Sequence, residues 1–272
     1  MNTPLVSIIV PCYNYAHFLG QTLDNVLSQQ YQHWECIIVD DGSTDDTAAV
    51  AASFAAADSR FRYFYQDNKG LSGARNSGIT GSKGIYIQFL DSDDLIDPAK
   101  LKTQVAILEA DATIDITYGD SLFFHTDNQD KLYPSRRLSD HHRPEKLRGG
   151  GRRKAMLERL LVNNIMEVSC ALVKKQLVME VGPFDETYKS YEDWQYWIRC
   201  ALHNANFDYS PDEGTATYIR SGHQSMMSNK KKLVLHGIRI RKFLQPHLGF
   251  TQRLYNTGRL FKLYVRMVFK LY

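Results

Sequence analysis

Residues 89–94 read Phe89-Leu90-Asp91-Ser92-Asp93-Asp94, an apolar run that stops at three carboxylates within four positions. Like charge crowded at the end of a strand is costly unless a cation neutralises it. Oxygen donors favour magnesium, manganese or calcium over zinc, and a site with few protein carboxylates completes its shell with substrate phosphates and water. The competing assignment is an exposed acidic turn that caps the next helix. A second acidic pair, in Val39-Asp40-Asp41-Gly42-Ser43, also ends an apolar run. It suits hydrogen bonds to a base or a ribose, or a cap on the following helix. Between the two lies Gly70-Leu71-Ser72-Gly73-Ala74-Arg75-Asn76-Ser77-Gly78, which would place backbone amides and one guanidinium at a helix start, a fit for an anionic diphosphate. This stretch is neither a Walker A loop nor G-x-G-x-x-G, so kinase and dinucleotide-dehydrogenase chemistries lose their main support.

These groups need elements to hold them. Apolar runs at 6–10, 36–39, 61–65 and 86–90 read as strands, each followed by a polar loop and then a helix-like stretch. Alternating strand and helix predicts an α/β fold, a mostly parallel sheet flanked by helices. Ligands in such sheets bind beyond the carboxyl ends of the strands, so the loops 11–15, 40–43 and 91–94 should meet at one crevice. Leu19, Leu23, Val26 and Leu27 mark the first helix; the second is expected to be capped by Ser43 or Thr44 and to run to Ala57. Beyond Asp97 the spacing predicts a helix over 99–109, strands near 114–118 and 122–125, and helices over 155–163 and 174–180, the last stopped by Gly182-Pro183. A long basic loop at 136–154, containing Arg148-Gly149-Gly150-Gly151-Arg152, reads as a lid or as disorder. Tyr191-Glu192-Asp193-Trp194 opens a further helix with Trp194, Trp197, Ile198 and Ala201 at helical spacing.

The chain has 272 residues, 43% of them hydrophobic and 23% charged, which suits a globular protein. No run approaches the roughly 20 apolar residues of a membrane span, and the start lacks the features of a signal peptide, so a cytoplasmic location is expected. Cys12, Cys36, Cys170 and Cys200 are scattered without Cys-x-x-Cys spacing and read as reduced, buried thiols. The net charge of +3 hides a segregation: residues 214–272 hold 12 Lys and Arg and no Asp or Glu. We therefore divide the chain into a catalytic domain over 1–213, with halves meeting near 97/98, and a basic C-terminal extension over 214–272. That charge suggests an anionic partner, nucleic acid or a membrane surface. A helix over 259–272 would gather Arg259, Lys262, Arg266 and Lys270 within an arc of about 80°. Such a helix could lie on an anionic bilayer at the inner face of the cell membrane, or pack on the catalytic domain; no aromatic-basic recognition motif supports a nucleic acid partner.

Five segments together carry a resemblance: Val6-Ser7-Ile8-Ile9-Val10-Pro11-Cys12-Tyr13-Asn14, Val39-Asp40-Asp41-Gly42-Ser43, Gly73-Ala74-Arg75-Asn76-Ser77-Gly78, Phe89-Leu90-Asp91-Ser92-Asp93-Asp94 and Glu192-Asp193-Trp194. Their order over about residues 5–200 resembles glycosyltransferase family 2, whose fold is GT-A. The resemblance implies an inverting, nucleotide-sugar-dependent transferase, commonly using a UDP sugar, with a divalent manganese or magnesium ion. It implies that Tyr13 lies on or near the base, within a first loop that includes Pro11 and Asn14. Asp41 would read the base edge, Asp91 and Ser92 would lie near the ribose, and Gly73 and Arg75 near the diphosphate. Asp93 would ligate the metal, and Asp193 would be the general base. Chemistry favours that last role independently, since a carboxylate that takes the proton of an attacking hydroxyl contributes roughly 10² to 10⁴ in rate; the other role for Asp193 is a helix cap.

The Gln-x-x-Arg-Trp signature of processive members does not follow Trp194, so transfer of a single sugar is expected, to a glycan or lipid-linked saccharide in surface polysaccharide assembly. Arg220 and His223 fall where the family often carries a basic or histidine-bearing loop; His223 could meet the diphosphate or metal, or lie on the surface. The alternatives are a sugar nucleotidyltransferase, which gives Asp193 no task, and a catalytically silent membrane-associated protein of glycan assembly.

Overall fold

The computed structural model describes residues 3–134, 149–211, 214–222 and 230–270. The chain begins with β1 (Val6–Cys12), α1 (Ala16–Leu27), β2 (Trp34–Asp40), α2 (Thr47–Ala57), β3 (Phe61–Tyr65), α3 (Leu71–Gly81) and β4 (Tyr86–Phe89). It continues through β5 (Leu95–Ile96), α4 (Lys100–Ala110), β6 (Ile116–Tyr118), β7 (Ser121–His125) and β8 (Asn128–Tyr133). Then follow α5 (Arg153–Val162), β9 (Ala171–Lys174), α6 (Lys175–Val181), α7 (Glu192–Leu202), β10 (Phe207–Tyr209) and β11 (Thr217–Ser221), with α8 (Lys230–Leu244) and α9 (Phe250–Val268) at the end.

Seven strands form the main sheet in the order β10-β6-β9-β4-β1-β2-β3. All neighbours run parallel except β9, which is antiparallel to both β4 and β6. The expected α/β architecture is therefore present. Both β1 and β2 are buried along their whole length, as near-continuous apolar strands are when helices cover both faces of a sheet. Ile9, Ile87 and Phe89 join the core under α3, α5 and α7, while Ile8, Val10 and Ile38 join the core under α1, α2 and α4. A Cβ on Gly78 would lie 2.3 Å from Cγ2 of Ile9, so the glycine lets α3 lie flush on β1. A second sheet, β5-β11-β7-β8, stands beside the first. All four cysteines are buried free thiols.

Several boundaries differ from expectation for local reasons. Neither Ser43 nor Thr44 caps α2: Ser43 Oγ accepts from the backbone N–H of Asn14 at 2.9 Å, and the N–H of Thr44 donates to Asn14 Oδ1 at 2.7 Å. The N-cap is Asp46, without a side-chain cap bond, and Asp45 before it accepts from the N–H of Thr47 through Oδ1 at 3.1 Å. In the glycine-rich part of the basic loop, Gly151 pairs with β10, its N–H donating to the carbonyl of Phe207 at 2.7 Å. Residues 135–148 of that loop, His223, and the expected boundary at 213 lie outside the described residues. Within the expected basic extension, Thr217–Ser221 form β11 and pair with β5 and β7, so the helical part is α8 and α9 alone.

Candidate active site

The acidic segment leaves the sheet where β4 ends and is held from three sides. Thr22 on α1 donates its hydroxyl to the carbonyls of Ser92 and Asp94 at 3.0 and 3.1 Å. Ser169 Oγ accepts from the N–H of Asp91 at 3.2 Å and donates to Asp94 Oδ2 at 2.9 Å. Arg220 on β11 donates its N–H to Asp94 Oδ1 at 3.2 Å and its Nε–H to the carbonyl of Asp93 at 2.9 Å. Asp94 is thus turned inward, and burial, then Asp93 and Asp91, push its carboxyl well above the usual carboxylate range. Desolvation also raises Asp91, against the pull of Arg75 and with Asp93 adding to the rise. Ser92 is buried beneath the loop.

The three carboxylates therefore do not converge as a ligand set, and among the described residues no group of three or more His, Cys, Asp or Glu does so. What the segment presents is crowded carboxyl oxygen, burial being the first cause of the rise at Asp91 and Asp94 and the neighbouring carboxylates adding to it. Such chemistry fits a magnesium or manganese ion that takes one or two carboxylates and completes its shell with phosphates and water. Asp93, which the family resemblance assigns to the metal, would hold it, between Asp91 bonded to Arg75 and Asp94 bonded to Ser169.

Arg75 sits on α3 and is 1% exposed. Its Nη2 donates to Asp91 Oδ1 at 2.7 Å and its Nη1 to Glu192 Oε1 at 2.8 Å. Burial disfavours the guanidinium's charge, but the two carboxylates more than restore it, and its pKa lies above the ordinary value. Arg75, expected near a diphosphate, forms an internal bridge from the acidic segment to the start of α7. A lone arginine in the sequence gives no sign of these partners at positions 91 and 192.

The remaining nucleotide-side candidates line the loops after β1 and β2. Tyr13 is half-exposed, and Pro11 is buried within β1. Asn14 adopts a left-handed φ of 55° and ties the two loops together through Ser43 and Thr44. Asp41 is buried: Oδ1 accepts from Gln66 Nε2 at 2.6 Å and the N–H of Lys69 at 2.8 Å, while Oδ2 accepts from the N–H of Gly70 at 2.8 Å. Its carboxylate thus secures the approach to α3, where Gly70 has φ of +82°. Gly73 serves close packing, because a Cβ there would stand 2.4 Å from Cβ of Lys69.

Asp193 lies in the first turn of α7, two residues after Tyr191, whose φ is 60°. A bulky residue in left-handed backbone is strained and persists where the surroundings fix it. Asp193 Oδ1 accepts from the N–H of Trp194 at 2.7 Å, and Oδ2 accepts from Asn164 Nδ2 at 2.8 Å. Burial, then repulsion from Glu192, raise its pKa to about 7 despite Arg75 nearby. A carboxylate poised near neutrality can take a proton and release it again. Trp194 and Trp197 are core residues, with Trp194 Nε1 donating to the carbonyl of Leu160 at 3.0 Å. Three residues of the site went unread in the sequence: Gln66, Asn164 and Ser169 each act through one side-chain amide or hydroxyl, which leaves no motif.

Comparison with known proteins identifies the family and the fold. An uncharacterized glycosyltransferase of Haemophilus influenzae is 30% identical over 257 residues, 94% of each chain. The glycosyltransferase GlyG of Streptococcus pneumoniae is 37% identical over 135 residues, 46% of this chain and 45% of its own. Among solved structures, the mannosyltransferase PcManGT of Pyrobaculum calidifontis, in complex with GDP-Man and Mn2+, superposes with a TM-score of 0.69 at 19% identity, covering 95% of this chain and 70% of its own. S. aureus TarS 1-349 in complex with UDP gives a TM-score of 0.66 at 18% identity, covering 96% and 71%. The chain spans 43% of the longer TarS chain and 58% of an uncharacterized glycosyltransferase of Rickettsia typhi. Residues 7–182 match the profile of Glycosyl transferase family 2, and with the fold and the Haemophilus relative this shows that the chain belongs to that family, a glycosyltransferase of the GT-A type.

Proposed function

We propose that this glycosyltransferase transfers a single sugar, with inversion, from a UDP sugar to a hydroxyl of a glycan or lipid-linked saccharide in surface polysaccharide assembly. The observation that carries the reading is Asp193: a carboxylate raised to about 7 and linked to Asp91 through Glu192 and Arg75. Asp193 accepts the proton of the acceptor hydroxyl as its oxygen forms a bond to the anomeric carbon, on the face opposite the diphosphate. The bond from that carbon to the diphosphate breaks, and its electron pair leaves with the phosphate oxygen. A divalent ion at Asp93, when bound, neutralises charge on the departing diphosphate. Asn164 donates to the ionised form of Asp193, and Arg75 fixes the spacing between Asp91 and α7. The UDP preference is supported by the likeness to TarS, solved with UDP, and is weighed against the GDP-Man complex of PcManGT.

The test is incubation with manganese or magnesium and a panel of nucleotide sugars, following slow release of free nucleoside diphosphate. Release from a UDP sugar is expected. Release from none of the donors under any metal condition refutes the reading, and release only from a GDP sugar refutes the donor.

A further inference from the structure

The C-terminal hairpin carries an apolar stripe that its packing leaves uncovered. Helix α9 has three sectors. Asn256, Leu260, Leu263 and Met267 form the sector turned to the protein: Asn256 is fully buried and the other three are half-buried. Leu263 lies over Gly237 of α8, with a methyl carbon 3.5 Å from where a Cβ would stand. Asn256 Nδ2 donates to the carbonyl of Arg241 at 2.8 Å, and the buried Arg241 in turn donates to the carbonyls of Leu161 and Val162 at the end of α5. The hairpin is thereby tied to the layer that carries Asp193.

The second sector is apolar and open. Phe250 is 78% exposed, Leu254 60%, Phe261 68% and Val268 69%. At about 100° per residue these four fall within about 40° of arc, and Tyr264 lies beside them. The third sector is basic, with Arg259, Lys262 and Arg266 exposed, and the exposed Lys270 follows just past the helix end, where its φ is 52°. Among the described residues none of these four is in an ion pair, and residues 214–272 contain no Asp or Glu to supply one from within the extension. Packing on the catalytic domain therefore accounts for one sector only.

We propose that the open stripe of α9 docks on an anionic lipid bilayer, with the helix lying in the plane of the interface. An apolar face backed by a wholly cationic one is the pattern of interfacial helices, whose apolar side enters the acyl boundary while basic side chains reach the headgroups. A second copy of this chain is disfavoured as the occupant, because it would bring 12 further basic residues with no acid of its own extension to meet them. No helix among the described residues is long and apolar enough to cross a membrane, so the contact is lateral. The hairpin also stands beside the approach to the general base. Arg239 of α8 donates to the carbonyl of Thr187 at 2.9 Å and lies over the Tyr188 ring, and Tyr191 approaches Gly237. A bilayer on the stripe would bring lipid-linked acceptors toward that side, which rests on the reaction proposed above; the binding itself does not.

Vesicle flotation with the full chain tests the surface without any sugar transfer. Phosphatidylcholine vesicles are compared with ones in which a third of the lipid is phosphatidylglycerol, at low and moderate salt. The anionic vesicles should bind the protein and the neutral ones should not, with binding weakened by salt. Phe261→Ser with Val268→Ser should lower partitioning on the order of tenfold or more. Lys262→Gln with Arg266→Gln should lower it roughly 25-fold, taking about fivefold for each charge near the surface. Equal recovery on neutral and anionic vesicles, or binding unmoved by both double variants, overturns the proposal. So does sedimentation equilibrium that shows a dimer broken by the Phe261/Val268 variant, which would assign the stripe to a second copy. A protein that binds vesicles yet no nucleotide refutes the proposed reaction and leaves the surface standing.

Discussion

Replacing Asp193 with Asn should move stability and activity in opposite directions, and should do so only above a particular pH. The carboxyl of Asp193 rises from 3.8 in an unstructured chain to about 7, because it is buried and faces Glu192. At about 1.4 kcal/mol per unit, a shift near three units corresponds to about 4 kcal/mol against the ionised form. The residue is partly open to water and shares its field with Glu192, so about 2 kcal/mol is the working figure. The sign follows from proton counts. Between about pH 4 and 7 the native state holds a proton that the unfolded chain releases, so wild-type stability falls as pH rises through that window and stays low above it. Asn carries no charge at any pH. It retains an oxygen for the N–H of Trp194, and a flip of the Asn164 amide lets its oxygen, buried without a partner, meet the new amide.

The variant should therefore gain under about 2 °C in Tm near pH 5 and roughly 4 °C near pH 8, at about 2 °C per kcal/mol for a chain of this size. Turnover should fall by about 10² to 10⁴, and wild-type kcat should climb with pH up to about 7 before levelling. Thermal melts at the two pH values and a kcat profile with saturating donor decide the matter. An equal Tm shift at both pH values refutes the charge argument. Wild-type turnover in the variant moves the base elsewhere, with Glu192 next.

Asp93→Ala should abolish the gain in UDP affinity that manganese gives the wild type, so that calorimetry reads the variant with metal like the wild type with chelator. Arg75→Met leaves Asp91 and Glu192 buried without their shared cation and should cost about 3–5 kcal/mol in urea unfolding; Arg75→Lys should recover only part, because an ammonium cannot fork to both carboxylates. Asn164→Ala removes a donor to the ionised form of Asp193 and should move the midpoint of the kcat profile upward from about 7. Lys100 is fully buried among the neutral oxygens of Gln88, Gln104 and Cys170, and burial lowers its pKa to about 7. Above that pH the native lysine is neutral while the unfolded one is charged, so wild-type stability should rise with pH between about 7 and 10, and melts of Lys100→Met should lack that rise.

The nucleotide-side half of the molecule was legible because each of its features is local. Strands β1 to β4 appear as apolar runs, and each stops at the residues that the crevice uses. The antiparallel β9 had no such signal: four residues, Ala171–Lys174, run straight into α6, and their place between β4 and β6 is set by partners far along the chain. The same difference separates the readable from the unreadable parts of the site. Asp91, Asp93 and Asp193 stand in recognisable segments. Ser169 is one hydroxyl in a short turn, yet it joins the N–H of Asp91 to the carboxyl of Asp94. Asp41 adds a role that its type and position did not reveal: both its oxygens hold the approach to α3.

Arg75 gives the clearest reason for two distant acidic segments to occur together. Residues 91 and 192 come from opposite halves of the chain, and one buried guanidinium holds both at hydrogen-bonding distance. A single flexible charge would satisfy the electrostatics but leave the spacing loose, whereas the planar fork fixes distance and direction together. The next residue on either side of that bridge does the chemistry in the proposed reaction: Asp93 lies two positions after Asp91, and Asp193 one after Glu192. In the proposed reaction the bridge would set how far the departing diphosphate stands from the carboxylate that receives the acceptor's proton. In-line attack tolerates little error in that separation, since misplacement of reacting groups by about 1 Å costs on the order of 10² in rate. Buried ion pairs contribute little net stability compared with apolar packing, so positioning, more than stability, is the reason for this one to be here.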